Sequence, residues 1–427
     1  MGQERLRRWQ GITLTTLFVG YAGYYVCRSN LSVATPLILA EFADQGWTKE
    51  TIGGISSVGI AVYSLGKISN GVMTDFLGGR LLFLLGMAAS TLCTVFFGIG
   101  SGLVVFTIAW ACNRYVQSMG WGALTKIASR WFPVSVHASV MGFLCMSYLL
   151  GDALGRLYLS QLLGLGLSWR GLFLAAAATL GAIGLASIFT LRSSPRDVGE
   201  EEPAGNPANV FGAEGETARP PGLLRLLLPL LTNGTFWLVC LMNMGLTLIR
   251  ETFNQWTPTF LLETYGLKPR SAGMGSMVFP LVGAVAAMAG GSLSARFQGK
   301  HGRIAAPSMV FLVLALAILG TAPRMNNPTL ALVMIGGVSF FMCAPYSFCS
   351  GVMALDLGGK QGASTAAGLI DSAGYLGAIV SGYGIGSLAQ NYGWQTAFLS
   401  LAGVAGITTV ATVVYWFVQE FKMKAVK

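Results

Sequence analysis

Gly71-Val72-Met73-Thr74-Asp75-Phe76-Leu77-Gly78-Gly79-Arg80 joins two apolar stretches, 52–74 and 81–99. Each stretch is about as long as an α-helix needs to cross the hydrocarbon core of a bilayer, roughly 20 residues. The residues between them allow only a tight turn. Gly78 and Gly79 permit that turn, and Gly71 permits close contact between helices. Asp75 and Arg80 are then held at one membrane face, where each can meet an opposite charge or a helix end.

The rest of the chain extends this pattern. Of 427 residues, 53% are hydrophobic and 10% charged, and the mean hydropathy is +0.63. Soluble domains carry about 25% charged residues, so an ordinary soluble enzyme is excluded. Disorder is excluded as well, because disordered chains are poor in apolar residues. Breaking the chain at polar and glycine- or proline-rich points predicts helices at 11–39, 52–74, 81–99, 104–127, 137–160 and 168–191. A second set follows at 235–262, 272–294, 304–322, 328–352, 362–388 and 393–419. The fold class is an all-α polytopic membrane protein with twelve transmembrane helices.

One long polar connection, with Glu200, Glu201, Glu202 and Pro220-Pro221, divides the chain into 1–191, a central loop 192–231 and 232–427. Leu223–Leu231 is a candidate interfacial segment within that loop. With the N-terminus in the cytoplasm, the inner segments hold 17 of the 27 Lys and Arg residues and the outer segments 5. The positive-inside rule then places both termini in the cytoplasm.

The halves echo each other. Arg28 precedes Pro36, and Arg250 precedes Pro258, by eight residues, and the same offset of 222 pairs Gly53 with Gly275. Trp169-Arg170-Gly171-Leu172-Phe173 parallels Trp394-Gln395-Thr396-Ala397-Phe398 at an offset of 225. Such a repeat implies two pseudo-symmetric six-helix bundles with a binding site between them near the midplane.

Ionisable residues inside spans are costly and normally face a cavity or a partner. Here they are Arg28, Lys67, Arg114, Arg156 and Arg250 against Asp152, Glu251 and Asp371, a surplus of +2. That surplus suits a ligand with about two negative charges. The repeat sets Arg28 and Arg250 opposite each other, and two guanidiniums can fork onto the oxygens of a phosphate or carboxylate. Glu251, one residue from Arg250, is expected on a different helix face. Tyr21 and Tyr25 share a face with Arg28, Tyr63 shares one with Lys67, and Gln117 shares one with Arg114. Asp152 and Arg156 are expected to pair, and Asp371, one turn from Tyr375, can balance a cation or titrate. The seven cysteines form no CxxC pair. His137, at a loop edge, is expected to be solvated, and with His301 it makes no metal set. No metal, cofactor or enzymatic chemistry is expected. The net charge of +10 lacks a basic cluster with interleaved aromatics, so nucleic acid is not an expected partner.

The 71–80 loop resembles the G-x3-D-x2-G-x-[RK] loop of the major facilitator superfamily, which implies that fold and a conformational latch at Gly71, Asp75, Gly78 and Arg80. The corresponding loop after span eight, from Gly291 to Gly299, lacks the acidic residue. Tyr24-Tyr25-Val26-Cys27-Arg28, Tyr63-Ser64-Leu65-Gly66-Lys67, Gln117-Ser118-Met119-Gly120-Trp121 and the run from Arg250 to Leu261 resemble the organophosphate:phosphate antiporters of that superfamily. The resemblance implies phosphate binding by Arg28 and Arg250 with help from Lys67, near Tyr21, Tyr25, Tyr63 and Tyr375. It implies exchange of inorganic phosphate for a sugar phosphate, glycerol phosphate or phosphoglycerate. The chain departs from the glycerol-3-phosphate carriers at Tyr148-Leu149 and at Gln255. Arg28-Ser29-Asn30-Leu31-Ser32-Val33-Ala34 also resembles the sugar-acid/proton symporters. Symport, with Asp371 or Asp152 as proton carrier and Arg156 and Arg114 as coupling charges, is therefore the alternative. A membrane sensor of phosphorylated sugars is a third. The expected setting is a bacterial inner membrane and the expected state a monomer.

Overall fold

The computed structural model describes residues 2–47, 49–206, 209–212, 219–267, 275–297, 299–325 and 327–425. Lys268, Arg270 and Lys427 of the charge count lie outside these residues, as does the start of the eighth expected span at 272–274. The first set of helices comprises α1 Gly2–Glu41, α2 Lys49–Leu77, α3 Gly79–Ile99, α4 Leu103–Gln117, α5 Met119–Trp131, α6 Val134–Gly164 and α7 Trp169–Thr190. A short α8, Leu223–Leu231, precedes α9 Gly234–Tyr265, α10 Val278–Arg296, α11 Gly302–Met325 and α12 Pro328–Ser347. A π-helical turn at Phe348–Val352 leads into the run Met353–Ala425. Non-helical backbone at Gly359, Gly362 and Gly393 divides that run into 353–358, 363–392 and 394–425. The last two pieces are α13 and α14.

Among the described residues eight helical stretches are long and apolar enough to cross a membrane, one of them containing both α12 and α13. The other three crossings are α1, α2 and the α4–α5 pair. The first two carry polar residues such as Asn30, Lys67 and Asn70 toward the interior, which lowers their apolarity. α4 and α5 are each short because one crossing is interrupted at Ser118. The result is the twelve-helix membrane fold read from the sequence, with no strand among the described residues.

Two interrupted crossings meet at the centre. The π turn after α12 frees backbone groups that water cannot reach inside a bilayer. Trp121 of α5 donates its indole N–H to the Ser350 carbonyl at 3.0 Å and so satisfies one of them from the other half of the molecule.

The first residues of α1 and the last of α14 share one end of the bundle. Gln10 donates to the Trp131 carbonyl at 2.9 Å, Arg192 lies over the Trp9 ring, and Gly302 abuts Trp416. At this end the halves are in contact along two seams, α2 against α13 and α6 against α10. Gly368 makes the first seam possible, since a Cβ there would stand 2.2 Å from the Lys67 carbonyl oxygen. His137 departs from its expected solvated position. It lies in the first turn of α6 and is buried, with Nε2 2.8 Å from the Phe132 carbonyl.

Candidate functional site

The 3.6-residue period of α1 carries Tyr21, Tyr25 and Arg28 to the interior on one face. Tyr24 lies off that face and donates to the Phe83 carbonyl at 2.6 Å within the first half. Arg28 donates to the hydroxyls of Tyr25 at 3.2 Å, Tyr63 at 3.4 Å and Tyr375 at 3.5 Å. Each phenol oxygen that accepts from the guanidinium keeps its own O–H free to donate elsewhere. Tyr375 comes from α13, so this cluster spans both halves.

Lys67 of α2 reaches the Asp371 carboxylate of α13 at 2.7 Å, and both residues are buried. Ser64 and Ser372 face each other at 3.3 Å beside this pair. Tyr63 ties the groups together, its ring lying edge-on to that of Tyr375 at 5.3 Å and 5.1 Å from the Lys67 ammonium.

Arg250 is held differently from Arg28. It donates through Nε and Nη2 to Glu251 and through Nη1 to the Tyr346 hydroxyl, and its guanidinium lies 4.5 Å from the Tyr346 ring centroid. The expectation that Glu251 makes a poor partner is overturned. Adjacent helical residues point apart at Cβ, but the long arginine side chain curls back to the carboxylate. The Arg28–Arg250 clamp is therefore not preformed, since the second guanidinium already has a carboxylate.

Two neighbouring cavities adjoin these groups. The larger, about 800 Å³, has Arg28, Arg114, Asp152, Arg156, Arg250 and Glu251 in its wall. It runs toward the end opposite the termini, past Ser160 and Asn254. The smaller, about 20 Å³, lies beneath it and is lined by Tyr21, Tyr63, Lys67, Trp121, Asp371 and Tyr375. Tyr25, Tyr148 and Arg250 border both. Arg156 pairs with Asp152 at 3.0 Å, and Ser29 donates to the same carboxylate at 2.6 Å. Gln117 borders neither cavity. Its amide donates to the Cys27 carbonyl at 3.3 Å and to Ser90 at 3.2 Å, tying α4 to α1 and α3.

At the end bearing the termini the interior is sealed. Asp75, fully buried, pairs with Lys126 at 2.8 Å. It also accepts from the backbone N–H of Thr365 at 2.7 Å and of Ser364 at 3.4 Å. Those N–H groups open α13, where the first turn leaves donors without helical partners and the helix dipole favours an anion. Lys126 donates onward to the carbonyls of Lys360 and Gln361. Arg80 stays within the first half, capping α7 through the carbonyls of Leu191 at 2.8 Å and Ile188 at 2.9 Å. Gly71 lets α2 approach the Ser364 carbonyl, and Gly78 adopts φ +97° in the turn. The connection between the halves adds a further tie, Glu202 meeting Arg130 at 2.6 Å and Lys360 at 3.7 Å. The molecule is thus closed at one end and open at the other.

The Major Facilitator Superfamily pattern matches residues 17–382. The chain belongs to that superfamily of membrane transporters. It is 25% identical to a probable hexose phosphate transport protein of Chlamydia pneumoniae, over 98% of this chain and 93% of that one. It is 25% identical to the membrane sensor protein UhpC of Salmonella typhimurium, over 95% and 91%. Among solved structures it resembles the superfamily transporter FucP in its outward conformation, with a TM-score of 0.72 and 14% identity over 95% of this chain and 99% of that one.

Sequence reasoning passed over Tyr346, Tyr148, Trp121 and Lys126 as working residues. Tyr346 sits in an apolar run with no charged neighbour at helical spacing, whereas Tyr148 stands four residues before Asp152, a signal that went unused. Lys126 looked like one more basic loop residue. The available signal was that Lys126 falls inside the expected span 104–127.

Proposed function

We propose that this chain is a secondary active transporter that exchanges an organic phosphate ester for inorganic phosphate by alternating access. The observation that carries the reading is a single cavity of about 800 Å³ flanked by Arg28 and Arg250 from equivalent helices of the two repeats. Cavities of about 300–1,000 Å³ suit small-molecule ligands, and a phosphorylated sugar is of that class. The surplus of two cations matches a phosphate dianion. Similarity to a hexose phosphate transport protein along nearly the whole chain supports the same substrate class.

In this reading residues 1–191 and 232–427 are the moving bundles, and 192–231 is a cytoplasmic connection with an interfacial α8. The basic end lies in the cytoplasm, so the described state is open to the outside of a bacterial inner membrane. Arg28, Arg250 and Lys67 bind phosphate with Tyr21, Tyr25, Tyr63 and Tyr375, and the protein works as a monomer. Asp75, Arg80, Gly71 and Gly78 stabilise the closed cytoplasmic end. The similarity to a membrane sensor supports a second reading, in which phosphorylated sugar is bound but not carried.

Purified protein in vesicles loaded with inorganic phosphate tests these readings. Labelled phosphate uptake should require phosphate or an organic phosphate inside. Uptake into empty vesicles under an inward proton gradient, abolished by Asp371→Asn or Asp152→Asn, would replace exchange with symport. Tight binding of a sugar phosphate without any flux would make the protein a sensor.

A further inference from the structure

The charges within the spans do not share their partners evenly. Lys67 has Asp371, Arg156 has Asp152, and Arg250 has Glu251. Arg28 and Arg114 contact no carboxylate among the described residues. Arg114 is the more exceptional, since it is 4% exposed while Arg28 is half-buried. Its polar contacts are the Gln117 amide oxygen at 3.5 Å and the face of Tyr63, whose centroid lies 4.4 Å away. Tyr63 is also 4.8 Å from Arg28, so one phenol separates two guanidiniums of like charge. Removing a charge from water without a counter-charge costs several kcal/mol, and a second cation nearby adds to the cost. Such an arrangement is stable only where the open cavity hydrates it or an anion enters.

The geometry points to Arg114 as a direct ligand of the transported anion. With Arg28 it forms a capture site in the first half that is available while Glu251 occupies Arg250. The groups that act most strongly on Arg114 are Arg28 and Tyr25 of α1, Tyr63 of α2 and Tyr375 of α13, while Asp152 and Glu251 stand elsewhere in the same cavity wall, each paired to another arginine. The first four are cations or phenols, a donor set for a phosphate dianion. The Tyr25 and Tyr63 hydroxyls accept from Arg28 and can donate their own O–H groups to the anion's oxygens. This assignment rests on the exchange reading for the identity of the anion, but not for the presence of one.

Equilibrium binding to the full-length detergent-purified protein tests it, with inorganic phosphate and a hexuronate as probes. Arg114→Gln should weaken phosphate binding about ten- to a hundredfold, the range for a lost charged hydrogen bond. Wild-type affinity should rise as inorganic phosphate loses its second proton, around neutral pH. Arg114→Gln should flatten that rise, whereas Arg114→Lys should keep it. A purely structural role for Arg114 would leave the slope intact. Wild-type affinity and slope in a folded Arg114→Gln protein would overturn the assignment. Binding of hexuronate but not phosphate by wild type would sink the phosphate reading alone. In that case Arg114→Gln should still lose hexuronate affinity, and failure to do so would overturn the assignment too.

Discussion

Asp75→Asn isolates the seal from the binding site. The substitution keeps the side chain's shape but removes its charge, and so its 2.8 Å ion pair with Lys126. The amide oxygen can still accept from Thr365 N–H, but its NH2 group faces donors where Asp75 presented a second oxygen. Removing one partner of a buried ion pair typically costs about 3–5 kcal/mol, because the other charge is left uncompensated. Here Lys126 retains the carbonyls of Lys360 and Gln361, which offsets part of that cost. A loss of about 2–3 kcal/mol is expected. It falls mainly on the sealed state: Asp75 and Lys126 belong to the same half and stay together, but opening the sealed end parts them from residues 360–365 and lets water hydrate the lysine. That changes the ratio of the two states by roughly 30- to 150-fold.

Spin labels can read this shift. Leu77 at the end of α2 and Phe297 just after α10 are exposed and lie in different halves at the sealed end. In a cysteine-free background, labels at these positions should report mainly a short distance in the wild-type sequence. A large long-distance population should appear with Asp75→Asn. Phosphate affinity should change little, because Asp75 is remote from both cavities. An unchanged distance distribution would refute the seal, and an affinity loss as large as the transport loss would relocate Asp75 to the site.

Arg28→Lys and Arg250→Lys keep the charge but lose the planar fork, so each should cut phosphate exchange by about 30- to 150-fold, measured in reconstituted vesicles. Near-normal uptake by either folded variant would remove that residue from the site. Glu251→Gln frees Arg250 of its resident anion and should tighten equilibrium phosphate binding about tenfold, read by calorimetry. Weaker binding would show that Glu251 serves the substrate instead of competing with it. Glu202 gives a pH test outside the membrane. Burial alone would raise its carboxyl, but the hydrogen bond and charge of Arg130, with Lys360 and Arg196, hold it below the usual carboxylate value. A depressed group contributes fully above its unfolded value, about 4.3, and is lost as pH falls through the lower folded value. Hydrogen exchange of 192–206 should therefore stay flat from about pH 8 to pH 5.5 and rise only in stronger acid, after allowance for intrinsic rates. Glu202→Gln should raise it already at neutral pH, and no difference there would deny the tie.

The fold was legible because a bilayer imposes simple arithmetic. Span length, loop charge and the spacing of Arg28 to Pro36 and Arg250 to Pro258 need no knowledge of side-chain direction. Contacts within a helix were partly legible, as the pairing of Asp152 with Arg156 shows. Contacts between halves were not. Lys67 finds Asp371 across 304 positions in sequence and Arg28 finds Tyr375 across 347, and no local pattern encodes such distances. Glu251 was misjudged for another reason. A rule about Cβ directions was applied to a side chain with four rotatable bonds. The interruptions at Ser118 and at Phe348–Val352 escaped notice because a one-residue break or a π turn leaves the hydrophobic pattern nearly intact.

Charge pairing also bears on why exchange would be obligatory. Three of the five cations within the spans have carboxylate partners, so the surplus resides on Arg28 and Arg114 and not on the Arg28–Arg250 clamp. While the cavity is open, water can hydrate Arg28. Arg114, nearly buried, depends on Tyr63 and Gln117. Reorientation without substrate would occlude both guanidiniums at several kcal/mol each. If only about 4 kcal/mol of that cost reached the barrier, the empty carrier would reorient roughly 10³-fold more slowly than the loaded one. A dianion removes the penalty in either direction, whether it is inorganic phosphate or a phosphate ester. On this reasoning Arg114→Gln should do more than weaken binding. Leaving a single unpaired cation, it should let the empty carrier turn over and convert part of strict exchange into net efflux. Efflux of labelled phosphate from loaded vesicles into phosphate-free buffer should then rise relative to exchange. If that ratio stays at the wild-type value while affinity falls, the barrier to empty reorientation lies elsewhere, and the Lys67–Asp371 bridge becomes the place to look for it.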